Sequence, residues 1–185
     1  MNKKLFLIFV PIVIVPYLAL FALATIFFST KVSLFNWIME SIFVGNALYL
    51  IAATLLYCLL VVVLSIVCFF VNIYKKGNAL SLAKFAMIIK LAQVPAYLCI
   101  FVLGVIFTIT VFTIPFSIGL FVIDCLSVFI TGLFVISSVI TATRNDIFKL
   151  KEFFWVIPLQ FIFCADVISS IVLYMKLKEL NDKKT

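Results

Sequence analysis

Two carboxylates stand inside strongly apolar sequence, Asp124 in FVIDCLSVF and Asp166 in FCADVISSI. An ionisable side chain in hydrocarbon is costly and normally turns toward protein or water, so each marks a place where chemistry could occur. Each has a serine three residues on, Ser127 and Ser169, on the same helical face. Two carboxylates sharing one site oppose each other's ionisation, and one of them then becomes a proton carrier. Asp124, Asp166, Ser127 and Ser169 are therefore candidates for a proton or cation site. The structural alternative, which the sequence favours, is that each aspartate bonds a nearby hydroxyl or backbone group and locks helices together.

A second group is Lys84, Lys90 and Gln93 in AKFAMIIKLAQVPAY. As a functional patch it would bind an anion or dock a partner at the cytoplasmic face. As a structural feature it is a helix leg at the inner surface, with both lysines snorkelling to headgroups. The second reading is preferred, and Pro95 then marks a kink where the helix enters the membrane. Gln93, Gln160 and Asn46 read as interhelical hydrogen-bond formers.

Other chemistries lack their residues. Histidine is absent, and Cys58, Cys68, Cys99, Cys125 and Cys164 form no CxxC pair. The sequence thus predicts no metal site, no cofactor and no catalytic residue. No phosphate loop, HExxH or nucleophile elbow occurs either. The expectation is a protein that is not an enzyme.

The elements that must position these residues follow from composition. Of 185 residues, 67% are hydrophobic and 11% charged, against about 45–50% and 25% in soluble domains. Too few charges remain to make a water-facing shell, so the chain reads as an integral membrane protein. A crossing helix needs roughly 20 apolar residues. Five runs qualify, at about 5–28, 47–73, 85–113, 117–142 and 153–175. The first follows the basic start MNKK and is too long for a secretory core, so it reads as a retained anchor. Between the first two runs, TKVSLFNWIMESIF (30–43) carries Trp37 among weakly polar residues and predicts a short interfacial helix or loop. The fold expected is all-α, one bundle of about five transmembrane helices, with no soluble domain.

Fourteen basic against seven acidic residues give a formal net charge of +7. The basic residues flank apolar runs, where they set orientation and meet anionic lipid, so the bilayer and not nucleic acid is the partner they predict. With five crossings and the N-terminus cytoplasmic, Lys31 and the tail lysines fall outside, against nine basic residues inside. A re-entrant last segment would gather up to 13 on one side. Thirteen of the fourteen basic residues are lysine, and heavy use of Ile, Phe and Lys suggests an AT-rich bacterial genome and a bacterial cytoplasmic membrane.

The stretches IIKLAQVPAY (88–97) and QFIFCADVISSIVLYMK (160–176) resemble a family of small polytopic membrane proteins of low-GC Gram-positive bacteria. The resemblance covers about residues 78–176 and implies that Lys90, Gln93, Pro95 and Asp166 belong to a recurring framework. It implies no activity. The expected function is a membrane accessory, partner-binding or immunity-type protein acting with another membrane protein or complex. The alternative is a small solute transporter or proton- or cation-coupled protein using Asp124 and Asp166.

Overall fold

The computed structural model describes residues 3–74, 78–109, 113–148, 150–160, 162 and 165–183, and every element among them is helical. Cys164, Lys75, Lys76 and Lys149 lie outside the described residues. Four helices are long and apolar enough to cross a membrane. They are α1 (Lys3–Phe28), α3 (Ala47–Tyr74), α4 (Ala79–Thr108) and α5 (Ile114–Arg144). Between α1 and α3 lies α2 (Ser33–Phe43), which buries Met39 against Ala22 and Leu50 and leaves Trp37 exposed.

Helix ends follow local chemistry more closely than apolar run lengths. Helix α4 starts at Ala79, because the Asn78 side chain accepts a hydrogen bond from the Ser81 amide at 3.2 Å; such a side-chain cap satisfies one of the orphan donors of a helix start. Helix α5 opens with Pro115 in its first turn, where the missing N–H costs nothing. Its last turn carries Arg144, which donates to the Ile73 carbonyl at 2.8 Å and so ties the ends of α5 and α3 together. At the opposite end, Phe27 stacks on Phe107 at 5.5 Å and meets Phe116 edge-on at 5.2 Å, joining α1, α4 and α5.

The fifth predicted crossing is not a continuous helix. The run 153–175 is divided among α6 (Leu150–Phe153), α7 (Val156–Leu159) and α8 (Ala165–Asp182). Pro158 explains the first division. It brings no N–H and crowds the carbonyl four residues back, which weakens the helix at that point. The local bonds tighten accordingly, with the Ile157 amide on the Phe154 carbonyl at 3.3 Å and the Gln160 amide on the Ile157 carbonyl at 3.2 Å.

Depth along the neighbouring helices shows where this segment goes. A Cβ built on Gly132 would lie 3.5 Å from Gln160 Cβ. Gly132 is twelve residues back from Arg144, or roughly 18 Å at 1.5 Å per residue. Asp166 meets Lys90, eleven residues into α4 and thus about 16 Å from Ala79. Helix α8 then packs on α4, and its Leu173 and Leu177 join a core cluster with Ala79, Ala83, Phe148 and Phe153. The chain therefore climbs from the Arg144 end to the middle of the bundle and returns to the end where it began. The C-terminal segment folds as a hairpin against α4.

Small residues make room for it. Ala79, Ala83 and Ala86 are at most 1% exposed, and the Ser138 hydroxyl reaches the Ala79 carbonyl at 2.8 Å. Phe85 and Phe134 fill the space between α4 and α5 edge-to-face at 5.2 Å.

Candidate functional site

The tip of the hairpin is where the buried charges meet. Lys90 is 0% and Asp166 is 2% exposed, with Lys90 Nζ 2.9 Å from Asp166 Oδ2. The same ammonium donates to Gln160 Oε1 at 2.7 Å and to the Asp166 carbonyl at 3.4 Å. An ammonium has three donors, and all three are used. Gln160 is equally committed. Its Nε2 donates to Ser169 Oγ at 2.7 Å and to the Val156 carbonyl at 3.2 Å, while its Oε1 also accepts from Ser170 Oγ at 3.3 Å. The Asp166 carbonyl accepts from Ser169 at 3.1 Å and Ser170 at 2.7 Å. Asp166 lies in the first turn of α8, where the helix dipole favours an anion.

One turn further along α4 a second network begins, and a proline creates it. Pro16 has no amide hydrogen, so the Ile12 carbonyl four residues back loses its helical partner. Gln93 Nε2 supplies the replacement at 2.8 Å. Tyr97 donates to Gln93 Oε1 at 2.7 Å and sits 3.1 Å from Ser127 Oγ, so α1, α4 and α5 are bonded in one chain. Replacing Gln93 with Leu orphans the Ile12 carbonyl and removes an acceptor from the Tyr97 hydroxyl. We expect a loss of about 1–2 kcal/mol in unfolding free energy, read as a lower midpoint in detergent melts. Tyr97→Phe, which spares the Ile12 bond, should lose less.

Lys90 and Gln93 do not lie at the surface expected of them. Both are fully buried, so neither is a headgroup or partner contact. Lys84 alone of that group is exposed. The reason is angular. Positions six apart on an ideal helix lie about 120° from one another, so Lys84 and Lys90 occupy different faces. Lys90, Gln93 and Tyr97 continue the buried stripe of Ala79, Ala83 and Ala86.

The two aspartates also have different surroundings. Asp166 is held by Lys90, whereas Asp124 is only half-buried and its Oδ1 is enclosed without a hydrogen-bond partner. Asp124 borders a cavity of about 550 Å³ between α4 and α5, which Asp166 does not line. Ser127 serves Tyr97, and Ser169 serves Gln160. Gln160 is the hub of the buried cluster, and a reading by ionisable residues alone gives it only the role of a hydrogen-bond former. Ser170 has a readable signal, standing four residues after Asp166 beside Ser169. At the exposed end of α8, hydrogen bonds from Lys183 and Lys176 hold the Glu179 carboxyl below the usual carboxylate range.

Compared with protein-family models, with curated proteins and with solved structures, the chain matches none of them.

Proposed function

We propose that this multi-pass membrane protein is a non-enzymatic accessory or immunity-type subunit that binds a partner within or beside a bacterial cytoplasmic membrane. The observation that carries this reading is the saturation of Lys90. Its three donors are spent on joining α4 to the hairpin, and the Gln160 amide nitrogen is spent within the hairpin. Buried ionisable groups that serve a moving solute or proton need an open coordination position, and the Lys90 ammonium offers none among the described residues. The charges hold a shape, and the shape is what a partner would read.

Orientation belongs to the same proposal. The N-terminal start of α1, the ends of α3 and α5, the start of α4 and the tail of α8 all belong to the Arg144 end of the bundle. In sequence these segments carry twelve of the fourteen basic residues, all but Lys31 and the internal Lys90. Basic residues beside membrane helices are retained on the cytoplasmic side, which argues for both termini there.

A different reading, ion coupling, is supported by the unpartnered Asp124 carboxyl at its cavity. Proteoliposomes separate the two. The purified chain alone is expected to pass neither protons nor alkali cations above empty vesicles. A flux abolished by Asp124→Asn would overturn the accessory reading. Extraction from native membranes in mild detergent should give a particle heavier than the purified chain, and a native particle of the same mass would count against it equally.

A further inference from the structure

The α4–α5 cavity has a chemical character of its own, independent of the accessory reading. Asp124 is ten residues into α5, or roughly 15 Å from Ile114, at the level of the apolar bundle. Its carboxyl makes no hydrogen bond among the described residues, and Oδ1 is shut away from solvent. The other oxygen-bearing side chains of the cavity are already occupied. Thr108 Oγ1 donates to the Gly104 carbonyl at 2.7 Å, and Ser117 Oγ donates to the same carbonyl at 3.0 Å. Among the described residues, no basic side chain lines the space. Apart from the Cys125 thiol, the remaining wall is hydrocarbon and aromatic, including Phe101 and Phe121 on opposite helices, 60% and 67% exposed.

A lone acid in such a space selects its ligand by charge. An ionised carboxylate in apolar surroundings is strongly disfavoured unless a cation accompanies it. An ammonium supplies that cation and brings its own N–H donors to the Asp124 carboxyl. Aromatic rings add attraction for the same charge when it lies over a ring face. An inorganic cation satisfies the carboxylate but leaves the apolar volume unfilled. A neutral chain fills the volume but leaves the carboxyl unpartnered. A cavity of about 550 Å³ lies within the usual range for small-molecule sites. We propose that the cavity between α4 and α5 is a binding site for a lipophilic primary ammonium, with Asp124 as its counter-ion and the walls from Phe101 to Phe121 taking the apolar body.

The test is scintillation-proximity binding of tritiated n-octylamine to the purified full-length chain in detergent. Binding should be saturable, and unlabelled n-octylamine should displace the probe at about tenfold lower concentration than n-octanol, a difference of one decade in affinity. Asp124→Asn should remove the saturable component without lowering the melting temperature, because the native carboxyl holds no hydrogen bond. Asp124→Glu, which keeps the charge, should retain binding. Three results would overturn the proposal: no saturable component, octanol competing as well as the amine, or undiminished binding by Asp124→Asn. Should Asp124→Asn also melt early, loss of binding in a normally folded Asp124→Glu would decide against it.

Discussion

Lys90→Met should unfasten the C-terminal hairpin, and adding Asp166→Leu should fasten it again. The single change leaves the Asp166 carboxylate, 2% exposed and formerly 2.9 Å from an ammonium, buried with no cation. It also takes one donor from Gln160 Oε1. Breaking one side of a buried pair typically costs about 3–5 kcal/mol, whereas replacing both sides by apolar groups is often neutral or stabilising. Asp166→Leu alone should be comparably damaging, since it strands the ammonium. Trp155 lies at the base of the hairpin, so in a Trp37→Phe background its fluorescence reports release directly. In denaturant titrations both single variants should lose the Trp155 transition early, while Lys90→Met/Asp166→Leu recovers to within about 1 kcal/mol of the parent. Equal stability in all four proteins would show that the pair does not hold the hairpin.

The second large effect is all-or-none. In the proposed orientation, with the hairpin returning to the end from which it rises, the start of α1 and the tail of α8 belong to one side of the membrane and the stretch around Gly45 to the other. A fluorescent protein fused after Thr185 should therefore fluoresce from the cytoplasm, and alkaline phosphatase inserted at Gly45 should be active outside. Five crossings would put the tail outside and reverse the first result. The charges argue for the same outcome, because the four tail lysines join eight other basic residues at one end. Their count is ambiguous only if the last apolar run is taken to cross.

How much of this is readable in the chain differs from segment to segment. The crossings at 47–73 and 5–28 end within two residues of α3 and α1, because an uninterrupted apolar run leaves the backbone no other way to satisfy its polar groups. The start of α4 lies six residues before the expected one, since a polar cap at Asn78 outweighs the hydropathy of the residues after it. The last run departs from expectation for a deeper reason. Its apolar content over 153–175 satisfies any length criterion, and Pro158 alone suggests only a kink. The group that turns it back is a lysine 76 residues earlier, and no local window contains both partners. The same separation hides the site. Asp166 is identifiable as an unusual residue, but its partner reads as a surface lysine. The stripe of Ala79, Ala83 and Ala86, extended by threes and fours, leads to Lys90 and Gln93 and is the usable signal.

The distance along the chain between the two halves of the ion pair also has a meaning in time. Synthesis proceeds at about 5–20 residues per second, so the 76 residues from Lys90 to Asp166 take roughly 4–15 s to appear. Throughout that interval α4 has no counter-ion for its buried ammonium and no hairpin over its alanine face. The four long helices must therefore enter the bilayer in an incomplete state, with one polar group kept from lipid by water, headgroups or another protein. Ribosome pausing or truncation anywhere between residues 91 and 165 would prolong that exposure. For membrane quality control, the vulnerable period of this protein ends when Asp166 emerges.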